Sequence, residues 1–111
     1  MTNSKIDDSM LGLVSKPNTE MKVWDNIRRN MTSWNKFIAM QKIMADEIGV
    51  TRQYIGKVLH KLEDKNYIVK NGKQQINVVF MVNPEYHWVG NKEDIDKGKA
   101  KYKAIKELLN G

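Results

Sequence analysis

Apolar residues recur at three- and four-residue spacing in four stretches of this chain and cluster as short runs in two others. The helical period marks amphipathic helices and the short runs mark strands. Met21, Trp24 and Ile27, with Val23, form one stripe over Thr19 to about Asn30. Thr19 is the expected N-cap, and Arg28 and Arg29 lie near the helix end, where the dipole favours cations. Trp34-Asn-Lys-Phe-Ile38 is short and fits a brief strand leading into the next helix.

Ile43, Met44, Ile48 and Val50 follow from Gln41, and Gly49 breaks that run. Thr51 caps a further helix through about Lys65, with Ile55, Val58, Leu59 and Leu62 inside. Tyr67–Lys70 and Ile76–Val82 read as a hairpin, with Asn71-Gly72 as its turn signal and Asn83-Pro84 as its end. Asn91 to Leu109 reads as a closing helix with Ile95, Gly98, Tyr102, Ile105 and Leu109 on one stripe. Residues 1–18 are polar apart from Met10, Leu11, Leu13 and Val14. They read as a flexible arm, and Pro17 argues against a helix crossing it. The expected division is an arm (1–18), a central domain (19–90) and a C-terminal helix (91–111).

The twenty residues from Gln41 to His60 match a helix-turn-helix. Ala45 is small where two helices cross closely, and Gly49 supplies the positive φ of the turn. Met44, Ile48, Val50, Ile55 and Val58 occupy the core-facing places. The hairpin after the second helix completes an α+β winged helix-turn-helix: three helices, a two- or three-stranded wing and an added C-terminal helix.

The outer face of the second helix is polar: Thr51, Arg52, Gln53, Tyr54, Gly56, Lys57 and Lys61 are expected to point away from the core. In this motif the first residues of that helix approach base edges in the major groove. Arg52 has the donor fork for guanine O6 and N7, and Gln53 matches adenine N6 and N7. Gly56 lets a backbone come close. Thr51 caps the helix and has a hydroxyl for phosphate. Tyr54 has two open roles, phosphate contact or packing on the neighbouring helix. Lys57 and Lys61, with Lys70, Lys73 and Gln74 of the hairpin tip, are phosphate candidates.

Charge sharpens this picture. The 111 residues carry 19 Lys+Arg against 13 Asp+Glu, net +6. Residues 21–91 hold net +5 and residues 1–20 net −1. A basic central segment favours a polyanion, with nucleic acid ahead of an acidic membrane. The absence of cysteine excludes disulfides, zinc ribbons and thiol nucleophiles and fits a reducing cytoplasm. Two histidines, His60 and His87, leave little for a metal site or acid–base catalysis. No stretch reaches the ~20 apolar residues of a membrane span. No P-loop occurs, and no cofactor is implied. The expected class is therefore a non-enzymatic binding protein.

The run from Met40 to Ile68 resembles the winged-helix cores of bacterial regulators. Its Ala45-x-x-x-Gly49-Val-Thr51 turn is followed by Val58-Leu-His-Lys-Leu-Glu-Asp-Lys-Asn-Tyr-Ile68. The broader layout is similar to small plasmid replication proteins of Firmicutes. Lys22-Val23-Trp24 lies in the first helix and Phe80-Met-Val-Asn-Pro84 ends the wing. The resemblance covers about residues 21–91. It implies a plasmid- or phage-borne protein acting at an origin or at its own promoter. A nickase of rolling-circle type would need a metal-binding histidine pair near a nucleophilic tyrosine, whereas His60 and His87 are 27 residues apart and neither belongs to a His-x-His run.

The expected partner is double-stranded DNA, bound as a homodimer through the last helix, without metal or membrane. The small size favours a transcriptional repressor or plasmid-maintenance regulator. Replication initiation at iterated sites is the alternative, and a protein-interaction module is a third reading.

Overall fold

A computed structural model describes residues 17–110. Four helices and three strands follow in the order α1 (Pro17–Arg29), β1 (Lys36–Ala39), α2 (Gln41–Ile48), α3 (Arg52–Asp64), β2 (Ile68–Gln74), β3 (Asn77–Val82) and α4 (Ile95–Asn110). The predicted arm through residue 16 lies outside the described residues.

Helix α1 begins two residues earlier than the sequence predicts. Pro17 sits in the first turn, where its missing N–H is no loss and its fixed φ suits the helix. Thr19 is inside the helix and is not its N-cap. Val23, Trp24 and Ile27 are buried as the stripe predicts. Asn26 on the same helix donates to Glu47 Oε1 at 2.8 Å, which ties α1 to α2.

The short segment after α1 is a strand over Lys36–Ala39, entered through a 3-10 turn at Ser33–Asn35. β1 pairs antiparallel with β3, with Phe37 opposite Phe80 and Ala39 opposite Val78. The sheet order is β1-β3-β2, so the wing is three-stranded. Side chains alternate across a strand. Phe80 and Val82 face the cluster of α1, α2 and α3, while Met81 packs with Val69 and Tyr102 of α4 on the other face. Both faces of β3 are covered, and this explains why Val78–Val82 reads as an unbroken apolar run rather than an alternation.

The hairpin loop, expected over residues 71–75, contracts to a two-residue turn at its far end. β2 runs straight through Asn71-Gly72, and the register shifts between Lys70 and Lys73. Asn71-Gly72 is a β-bulge, with Gly72 at φ 95°. The turn is Gln75-Ile76, between the paired Gln74 and Asn77. A bulge and a turn make the same demand on a glycine, so local sequence does not separate them.

Helix α4, by contrast, starts later than the sequence predicts. Lys92–Asp94 form a 3-10 turn before it. Of its predicted stripe, Gly98 and Tyr102 are buried. Leu109 is 57% exposed and Leu108 83% exposed, so the apolar side chains of the last turn are open to solvent. The Tyr102 hydroxyl donates to Asn66 Oδ1 at 2.9 Å, and Asn83 donates to the Asn66 carbonyl at 2.8 Å. Burial raises the Tyr102 phenol well above its ordinary range, with the nearby Tyr86 and Glu63 adding to the rise. This polar node fastens α4 to the turn after α3.

Candidate nucleic-acid interface

The helix-turn-helix forms as the sequence predicts. Gly49 takes the left-handed conformation (φ 85°, ψ 38°) and donates to Ala45 O, closing α2. Thr51 is extended, and its hydroxyl accepts from the Tyr54 N–H at 3.0 Å, opening α3. Met44, Ala45, Ile55 and Val58 are buried, and Ile48 and Val50 pack at the margin of the same core. Ile43 is 51% exposed and does not belong to the inner face.

The exposed side of α3 follows from its buried side. At 100° per residue, Gln53, Lys57, His60 and Asp64 fall on the line opposite Ile55, Val58, Leu59 and Leu62. Arg52 and Lys61 flank that line on opposite edges, and both are exposed. His60 Nε2 lies 3.5 Å from Asp64 Oδ2. The acidic pair Glu63 and Asp64 makes the end of α3 unfavourable for a polyanion. The cationic stretch is therefore its first two to three turns. Gly49, Val50, Thr51, Gln53, Tyr54 and Lys57 line a hollow of about 400 Å³ at that end.

One predicted outward residue is placed differently. Tyr54 turns inward and packs on the core, with its phenolic oxygen buried. Burial, together with the charge of Glu20 on α1, pushes its pKa up to about 12. Its proton stays on at neutral pH, and packing on the neighbouring helix is the role this geometry serves. Gly56 does face outward in part, but its nearest neighbour is a side chain of α2. A Cβ there would meet Gln41 Oε1 at 3.4 Å, an ordinary contact. Gly56→Ala therefore fits the free protein. It should raise the unfolding free energy by about 1 kcal/mol through helix propensity. If DNA backbone approaches at Gly56, the same variant should lose duplex affinity while gaining thermal stability. Melting curves and binding isotherms on one preparation separate the two effects.

The wing residues divide into two places. Lys70 is opposite Phe80 at the base of the hairpin, not at its tip. It borders a hollow shared with His60 and Asp64 of α3 and Lys106 of α4. Lys73 and Gln74 lie beyond the bulge, and both are exposed. Gln74 also lines a hollow of about 430 Å³ with Thr32, Lys36, Ile38, Met40 and Ile43. The distal wing is thereby beside the start of α2, and Gln41 at that start is beside Gly56 of α3.

Sequence reasoning missed Gln41 and Lys36 as members of this surface. Their only signal was polarity at the two ends of a strand-to-helix junction. Among the described residues no three His, Asp or Glu side chains gather as metal ligands, and no helix is long and apolar enough to cross a membrane.

The family model for RepL, described as a Firmicute plasmid replication protein, matches residues 7–107. That span extends beyond the central resemblance at both ends and includes most of α4. No curated protein and no solved structure matches the chain.

Proposed function

Because the chain belongs to the RepL family of Firmicute plasmid replication proteins, we propose that it binds duplex DNA of its plasmid at the origin through the winged helix-turn-helix. The carrying observation is the exposed, basic first part of α3 behind the Gly49–Thr51 turn. Arg52 and Gln53 read bases there, and Lys57, Lys61 and Lys73 hold phosphates. The reading contains no enzymatic step, and it places the protein in the cytoplasm.

A repressor would use the same contacts at a promoter. The family favours the origin, and the short length that pointed to repression is equally compatible with an initiator that recruits host enzymes. A protein-docking role for α3 has less support, because its outer line offers Gln53, Lys57, His60 and Asp64 rather than apolar anchors. Exposed Leu108 and Leu109 favour a second copy of the chain as the partner of α4. Two copies would read two half-sites.

Selection from random duplex DNA at two salt concentrations tests the proposal. A recurring motif supports it, and no binding at low salt removes it. Arg52→Ala should relax one base position at a cost of about 1–3 kcal/mol. Lys73→Ala should weaken all sequences alike and flatten the salt dependence, by about one in slope. If Lys73→Ala changed the preferred sequence and Arg52→Ala did not, these roles are reversed.

A further inference from the structure

We propose that Ile76, at the apex of the wing, is an apolar wedge that enters between neighbouring base pairs and unstacks the duplex to which the protein binds. This rests on the DNA-binding reading and adds a distinct action to it.

Ile76 is 90% exposed, the most exposed of the large apolar side chains among the described residues. It belongs to neither apolar cluster, so its side chain contributes little to folding. Its position is enforced by the backbone. Gln74 and Asn77 close the ladder, leaving Gln75-Ile76 as a two-residue turn. Gln75 takes φ 58°, a conformation that non-glycine residues seldom adopt. A two-residue hairpin turn requires that positive φ, and the tight turn holds Ile76 at the very end of the wing. The bulge at Asn71-Gly72 bends and twists the outer hairpin, re-aiming its tip.

The chemistry around Ile76 selects the partner. Ile68–Val82 carries Lys70 and Lys73 and no acidic residue. Lys73, Gln74 and Gln75 adjoin the apex with a cation and two amide side chains. A single apolar side chain is much smaller than the patches that hold protein or membrane partners. A wedge between base steps needs only one such side chain, with isoleucine among the residue types used, and polar neighbours to hold the backbone. Pyrimidine–purine steps such as TA and CA/TG unstack most readily. Local unstacking is also what a protein that starts replication has to promote.

The full chain should be titrated into a duplex rich in TA and CA/TG steps and containing 2-aminopurine, whose emission rises when it loses its stacked neighbours. Wild type should raise that emission at least about twofold at saturation. Ile76→Ser should bind within a few fold of wild-type affinity yet leave emission near that of free duplex, and Ile76→Leu should retain the rise. Circular dichroism on each variant verifies folding. Tight binding by wild type without an emission rise overturns the wedge and leaves the DNA reading intact. An equal rise with Ile76→Ser also overturns it. Failure of wild type to bind any duplex, including selected sites, removes both.

Discussion

Replacing Asn35 by alanine is expected to lower the unfolding free energy by about 4 kcal/mol. Asn35 is fully buried between α1 and β1. Its Nδ2 donates to the carbonyls of Val82 at 3.0 Å and His87 at 2.6 Å. Its Oδ1 accepts from the Val89 N–H at 2.8 Å. One amide thus binds the end of β3 to the irregular segment that leads to α4. Alanine would take this partner from two carbonyls and one N–H, one bond being buried and two part-buried, at about 1–3 kcal/mol each where water does not reach. Asn35 also has φ 56°. Asparagine visits that region more easily than alanine, which adds about 1–2 kcal/mol to the penalty. Part of the total returns if water enters. Urea unfolding checks the value, and a loss below about 1 kcal/mol would mean that solvent replaces all of these bonds. Aspartate should rescue little, because it turns a second oxygen toward the Val82 and His87 carbonyls.

Gly98→Leu should cost about 3 kcal/mol and move Trp88 into solvent. A Cβ on Gly98 would lie 2.3 Å from Trp88 Cζ3 and 2.6 Å from Cη2, so the indole rests directly on the α4 backbone. The ring cannot withdraw without loss. Trp88 Nε1 donates to Asn91 O at 2.9 Å, and the ring meets Trp34 edge-on at 5.6 Å between centroids. The contact can be isolated through a change of sign. Gly98→Ala should destabilise wild type, yet in a Trp88→Ala background it should stabilise by about 1 kcal/mol, the ordinary helix preference for alanine. Tryptophan emission should shift to the red in Gly98→Leu. Unchanged emission with wild-type stability would show that α4 moves aside at no cost.

The helix-turn-helix was legible because its determinants are local. Gly49 supplies a positive φ, Thr51 a cap, and Ile55, Val58, Leu59 and Leu62 a helical period, all within one short stretch. The cationic character of α3 was legible for the same reason, since exposure follows from periodicity. The distribution of the wing was not. Lys70 and Lys73 are three residues apart in sequence, but with the turn at Gln75-Ile76 one lies at the hairpin base and one near its tip. Tyr54 was ambiguous because a tyrosine at the edge of a helical face can turn either way, and the presence of α1 beside it decides the matter.

Sequence alone determined the order of elements, the helix-turn-helix, the basic balance and the family resemblance, since each depends on residue types or short-range spacing. Tertiary structure decided what long-range partners control. Asn-Gly became a bulge because β3 pairs across it in a shifted register. Asn35, an unremarked polar residue in the sequence, became an anchor through bonds reaching 47 to 54 residues along the chain. Gly98, read only as one place in an apolar stripe, became the seat of Trp88. Close packing gives such positions their meaning only when the opposing atoms are in place.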